Sequence, residues 1–283
     1  MNTRKTLASE ITIEGTALHA GSKIRMTLGP GEPGKGVVFR RSDLGGKELR
    51  ATYDAVGETR LGTVIANKEG VSIGVIEHLM AAVAGAEIDD LLVTLDGPEP
   101  PILDGDALSY LTLIEKAGIR EWKGKRQRIL VRKYVEAGQG DARAALSPAD
   151  HLTYEFEIDF PTAAIGRQVY SFVFSQEAFK REIAPARTFG FIKELETLNK
   201  MGLGRGASLD NTLAIEGDSV VNASLMRFPD EFVRHKILDA VGDMALAGAP
   251  LVARFEGEKS GHATNNALLR ALFAHPSNYE YAD

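Results

Sequence analysis

The stretch "HLMAAVAGAEIDDLLVTLDG", residues 78–97, has a counterpart in "ILDAVGDMALAGAPLVARFEG", residues 237–257. Each reads as a helix followed by a strand that ends in Asp-Gly or Glu-Gly. What comes next is matched as well: "GDALSYLTLIEKAG" (105–118) and "GHATNNALLRALFA" (261–274) each supply a loop and a further helix. The offsets are 163 from Gly85 to Gly248, 160 from Asp96 to Glu256 and 156 from Gly105 to Gly261, a drift that short loop differences would produce. The pattern predicts a duplicated α+β unit.

Outward from the repeat, "SKIRMTLGP" (22–30), "GVVFRR" (36–41), "GTVIAN" (62–67), "DLLVTLDG" (90–97), "HLTYEFEIDF" (151–160) and "QVYSFVF" (168–174) read as strands. Their β-branched and aromatic residues fall in short, partly alternating runs bounded by turn residues. Strands cluster before a helix in each half, which favours α+β layers over a doubly wound parallel sheet. The expected fold is therefore two duplicated α+β domains, each a sheet with a helix layer, the helix layers packed against each other around the site. A basic run, Arg120 to Lys133, separates a helix-like segment from the strand-like "RILVRKYVEA" (128–137). It reads as a solvated linker, with a contact patch for an anionic ligand as the alternative. The boundary falls near residues 122 to 128, giving domains 1–124 and 125–283.

Composition narrows the chemistry. The chain has 283 residues, 44% hydrophobic and 25% charged, and no cysteine. Disulfides, thiolate metal sites and cysteine nucleophiles are excluded, which leaves His, Asp and Glu as ligands among six histidines. A net charge of -6 argues against a nucleic-acid partner. No apolar run approaches the roughly 18 residues needed to span a bilayer, so no integral membrane segment is expected. The N-terminus lacks an apolar targeting segment, and a cytoplasmic monomer is the expectation.

In "FVRHKILDAVGD", residues 232–243, His235, Asp239 and Asp243 stand four residues apart. On a helical wheel they form one polar row, while Val233, Ile237, Ala240, Val241 and Met244 gather on the other side. A charged face turned to water would look the same. In "GVIEHLMAAVAGA" (74–86) the apolar face is Ile76, Leu79, Met80 and Val83, and His78 lies beside Ala81, Ala82 and Gly85, small residues that permit close approach. If the two helix layers pack together, His78 meets the row of His235 and Asp239. Two imidazoles and a carboxylate would suit Zn2+, with Fe2+ as the alternative, and would leave a coordination position open for water.

Glu77 would then reach the bound water without ligating the ion, as a general base must. His262 follows Gly261 on what reads as a turn, and Asp243, too far along for ligation, could orient it and hold it charged. Surface-helix and loop roles remain the alternatives for both Glu77 and His262. His151 and His275 read as structural, and His19 could line a cleft.

Taken together, "VIEHLMAAVAG" (75–85), "ILDGDA" (102–107), "ARTFGF" (186–191), "GASLDN" (206–211), "FVRHKILDAVGD" and "KSGHATNN" (259–266) resemble the zinc-dependent UDP-3-O-acyl-N-acetylglucosamine deacetylases of lipid A biosynthesis. The resemblance covers nearly the whole chain in matching order. It implies two α+β domains whose helix layers sandwich the site. It also implies hydrolysis of the acetamide of UDP-3-O-(3-hydroxyacyl)-N-acetylglucosamine to a free amine and acetate. In this sequence it implies zinc on His78, His235 and Asp239, Glu77 as base, His262 as acid or electrostatic partner and Asp243 as its orienter.

The resemblance further implies that Thr188 bonds the oxyanion, that Phe189 forms a wall facing the substrate, and that Lys236 contacts substrate. An insert at about residues 191–214 would build an apolar passage for the acyl chain, with Ile192, Leu195, Ser208, Thr212 and Ala214 as its lining. Gly204 stands where a bulkier or variable residue is expected. The ligand set alone would equally serve a peptidase or another amidohydrolase. A non-catalytic module that holds an anionic ligand is the remaining reading.

Overall fold

A computed structural model of the chain describes residues 3–283. Helical segments occur in the order α1 (Glu77–Gly85), α2 (Leu108–Ala117), the single turn α3 (Gln176–Ala178), α4 (Ile192–Lys200), α5 (Glu231–Ala245) and α6 (His262–Phe273). Two five-stranded sheets carry the duplication. In the first half the strand order is Ile11–Thr16, Lys23–Pro30, Leu91–Leu95, Val37–Arg41, Lys47–Arg50. In the second it is Val135–Gln139, Ala142–Ser147, Arg254–Glu258, Thr153–Asp159, Arg167–Val173.

The two sheets share more than strand number. In each, the central strand is antiparallel to the neighbour on one side and parallel to the neighbour on the other, and each outer pair is an antiparallel hairpin. In each, that central strand comes last in the chain, after the helix α1 or α5, and is followed by α2 or α6. The α+β class and the repeat are therefore both present.

Helix α5 forms because its apolar positions recur at helical spacing. Val233, Ile237, Ala240, Val241 and Met244 are at most 2% exposed, and each large member contributes about 1.5–3 kcal/mol by leaving water. Its polar row is buried too, because α1 lies across it. The approach depends on Gly242, where a Cβ would lie 2.0 Å from the Glu77 carbonyl oxygen. Before α1 the chain turns sharply at Val75, a β-branched residue held at φ 52°, so the first turn of the helix starts from a strained backbone.

The basic run is not a loose linker. Ile119–Lys125 pairs with Thr3–Leu7 of the first half, and Arg128–Val131 pairs with Leu251–Val252 and Tyr279–Ala282 of the second. Between them Arg126 is buried and donates to Asp89 Oδ1 (2.8 Å). The local reading failed because both strands find their partners far away in the sequence. For the same reason "RILVRKYVEA" is two strands, Arg128–Val131 and Val135–Gln139, in different sheets. Among the described residues no helix is long and apolar enough to cross a membrane.

Candidate metal centre

Helices α1 and α5 bring His78, His235 and Asp239 together at the interface of the halves. Their ligand atoms lie within 4.8 Å of one another, and all three residues are buried. Asp239 Oδ1 is 3.4 Å from His235 Nε2 and 3.6 Å from His78 Nε2. The polar row of α5 is thus covered, as a metal site requires, and does not face water.

These residues fit a divalent cation. His235 donates its Nδ1–H to the Ala186 carbonyl (3.1 Å), and burial presses its pKa down to about 3. The ring is neutral, so Nε2 carries a lone pair that points at a carboxylate oxygen. Asp239 stays ionised: burial opposes this, but the charge of the neighbouring Lys236 outweighs it and holds its pKa well below the usual carboxylate range. Two lone pairs facing one another need a cation between them. Tetrahedral coordination at about 2.0–2.2 Å separates ligand atoms by about 3.3–3.6 Å, which the two Asp239 distances match. His78 Nδ1 is buried without a hydrogen-bond partner, so that ring also has polarity the protein leaves unanswered.

Beside the cluster lie two more ionisable groups. Burial raises the pKa of Glu77, whose Oε2 accepts from the Thr63 N–H (2.9 Å). His262 Nε2 lies 3.8 Å from Glu77 Oε1, and His262 Nδ1 donates to Asp243 Oδ2 (2.9 Å). Burial alone would lower the pKa of His262, but the charges of Asp243 and Glu77 prevail and raise it to about 9. An imidazolium and a carboxylate of elevated pKa therefore flank the cluster. His262 is the first residue of α6, so a helix start holds it where a plain turn was expected.

A cavity of about 950 Å³ opens from the cluster. Glu77, His78, Thr188, Phe189, His235, Lys236, Asp239 and His262 line it, as do Ile192, Leu195, Ser208, Thr212 and Ala214. Of the site residues expected from the sequence, Asp243 alone stands behind the wall, against His262. His19 also lines the cavity. His151 and His275 are exposed elsewhere.

The apolar arm of the cavity is a small strand–helix–strand unit. Phe189–Phe191 runs parallel to Leu213–Glu216, with α4 crossing between them. Phe189 packs edge-on against His235, with ring centroids 6.2 Å apart. Ile192 and Leu195 are each 37% exposed, so they form the mouth of the arm and not its floor. Lys236 Nζ donates to Asp239 Oδ2 (2.7 Å), so its charge lies against the cluster as well as the cavity. Thr188 is held through its backbone, its N–H donating to the Gly105 carbonyl (2.8 Å) and its own carbonyl accepting from Leu213 (2.9 Å).

Two participants had no signal in the sequence reading. Asn265 Nδ2 donates to Asp243 Oδ2 (2.9 Å), and Thr63 touches Glu77, Asp243 and His262. Asn265 sits three residues beyond His262, on the same face of α6, a spacing that could have flagged it. Thr63 read only as part of a strand.

The family model LpxC, described as UDP-3-O-acyl N-acetylglycosamine deacetylase, matches residues 4–274. A relative from Phenylobacterium zucineum named UDP-3-O-acyl-N-acetylglucosamine deacetylase is 45% identical over 96% of this chain and 93% of its own length. Proteins of the same name from Myxococcus xanthus and Haemophilus influenzae are 44% and 41% identical, each over 98% of this chain and over 88% and 92% of their own lengths.

Proposed function

Because the chain belongs to the UDP-3-O-acyl-N-acetylglucosamine deacetylase family, we propose that the cluster between α1 and α5 is where it cleaves the acetamide of its substrate. The chain is a deacetylase of lipid A biosynthesis, a hydrolase that acts on an acylated UDP-sugar and releases acetate and the free amine. The family sets aside the peptidase and binding-module readings.

His78, His235 and Asp239 would hold zinc, with Fe2+ as the alternative. The observation that carries this is the convergence of three buried ligand atoms within 4.8 Å. Bound there, the ion would lower the pKa of a water molecule toward 7 and polarise the acetyl carbonyl. Glu77 would take the proton of that water; burial raises its pKa, which favours its accepting a proton. His262, charged at neutral pH and directed by Asp243, stabilises the oxyanion and then gives its Nε2 proton to the leaving amine.

Thr188 donates its hydroxyl to the oxyanion, and Phe189 keeps the wall beside His235 dry. Lys236 directs its charge to the substrate from the same wall. Ile192, Leu195, Ser208, Thr212 and Ala214 receive the acyl chain, a role supported by their sharing the cavity with the cluster. Residues 1–124 and 125–283 serve as the two domains, the first giving α1 and the second α5 and α6 to the site, in a monomer that works in the cytoplasm.

The test is metal content measured alongside turnover of the acylated UDP-sugar, with and without a chelator. The expected result is one ion per chain, activity lost on chelation and restored by zinc. Full zinc occupancy in His235→Ala would contradict the assignment of that ligand.

A further inference from the structure

Thr63 commits every polar group it has to the site. Its N–H donates to Glu77 Oε2 (2.9 Å) and its carbonyl accepts from the Ile76 N–H (3.3 Å) at the entrance to α1. Its hydroxyl donates to Asp243 Oδ1 (2.5 Å), and the same oxygen lies 3.2 Å from His262 Nδ1. The residue is 2% exposed, so water does not compete for these bonds.

The hydroxyl has a single proton. Directed at Asp243, it leaves only lone pairs for His262 Nδ1, so that nitrogen must present an N–H. Asp243 Oδ2 receives it at 2.9 Å and takes a second bond from Asn265 Nδ2 (2.9 Å). With Oδ2 holding two donors and Oδ1 held by Thr63, the carboxylate cannot turn without breaking a buried bond. Its orientation fixes the imidazole, whose Nε2 is left facing Glu77 Oε1 at 3.8 Å. Thr63 comes from the first half, Asp243 and His262 from the second.

We propose that the Thr63 hydroxyl is a positioning group for the deacetylation: through Asp243 it sets the direction of His262 relative to Glu77, so that acid and base address the same acetamide. This rests on the reading of Glu77 as base and His262 as acid. The backbone N–H of Thr63 holds Glu77 whatever the side chain, so the hydroxyl can be removed without releasing the base.

The experiment compares Thr63→Val, Thr63→Ser and wild type as zinc-loaded full-length enzymes. Val keeps the shape and loses the hydroxyl; Ser keeps the hydroxyl. A buried hydrogen bond to a charged group supports a drop in kcat of about 10- to 100-fold for Thr63→Val, with KM within about twofold and metal content unchanged. Thr63→Ser should stay within about threefold of wild type. In parallel, the imidazole Nδ1–H signal of His262 is followed by NMR, assigned by its absence from His262→Gln. It should be lost or exchange faster in Thr63→Val and return in Thr63→Ser.

Wild-type kcat or a wild-type His262 signal in Thr63→Val overturns the proposal. So does a Thr63→Ser variant as impaired as Thr63→Val. If Thr63→Val does not fold, Thr63→Ala carries the same comparison. Should the wild type fail to hydrolyse the acylated UDP-sugar, the functional reading falls, while the NMR comparison still decides whether Thr63 sets His262.

Discussion

Gly242 of α5 faces the backbone carbonyl of Glu77 so closely that a Cβ would lie 2.0 Å from its oxygen. The contact is backbone against backbone, so no side chain can swing aside to relieve it. It brings the helix that carries Glu77 and His78 against the one that carries His235 and Asp239. Gly242→Ala should therefore part the helices at the cluster. Overpacking costs about 1–3 kcal/mol, read as a lower unfolding midpoint, and zinc occupancy at limiting metal should fall with it. A variant of unchanged stability and zinc affinity would show that the helices tolerate separation.

Glu77→Ala separates proton transfer from metal binding. General base catalysis supports a loss in kcat of about 10²–10⁴-fold, with zinc content retained because Glu77 is not among the three clustered ligands. Near wild-type turnover by this variant would refute the base assignment.

His262 should set the alkaline side of the pH dependence. Its pKa stands at about 9 in the folded site against an ordinary value of 6.5. A raised pKa means that its contribution to stability is present in full below about pH 6.5 and is lost as the pH rises through about 9. Turnover that needs a proton on His262 should hold to near pH 9 and decline above it. Asp243→Asn removes the leading charge that holds the proton, so the alkaline limb of the kcat profile should move to lower pH. A limb that stays in place assigns that titration to another group.

The apolar arm predicts chain-length selection. Ala214→Phe should narrow it, raising KM for long acyl chains about tenfold or more, as a filled pocket rejects added methylenes at about 1–3 kcal/mol each. Short-chain substrates should keep their kcat. Equal effects on short and long chains would mean that the acyl group lies elsewhere.

Much of this site was legible because helices announce their faces. The period of α5 separated Val233, Ile237 and Val241 from His235, Asp239 and Asp243, and the repeat pointed to a second helix that could cover the polar row. A wheel cannot say what covers a face, so surface and site stayed indistinguishable until α1 was seen across it. Thr63 lay out of reach for a different reason. It works through one N–H and one hydroxyl, and its partner Asp243 is 180 positions away, so no local spacing marks it. The strands at either end of the basic run share this limit, since their partners lie at the N-terminus and near the C-terminus. The resemblance to the family singled out the segment at about residues 191–214, but not that it is a parallel strand–helix–strand unit with its mouth at Ile192 and Leu195.

His19 lies where the insert of the second half meets the first. Its ring nitrogen Nδ1 accepts from the Gly204 N–H (3.3 Å), and its carbonyl accepts from Arg205 (3.3 Å). The Leu18 carbonyl beside it accepts from Gly206 (2.9 Å), while His19 Nε2 bonds the Leu61 carbonyl (2.9 Å). The insert is thus buckled to the opposite half at one end of the cavity, as α1 is clasped to α5 at the other. Halves fastened at both ends have no free hinge between them. An acyl tail received there would have to thread in lengthwise instead of being swallowed by a closing jaw, and loss of order in one half should carry into the other.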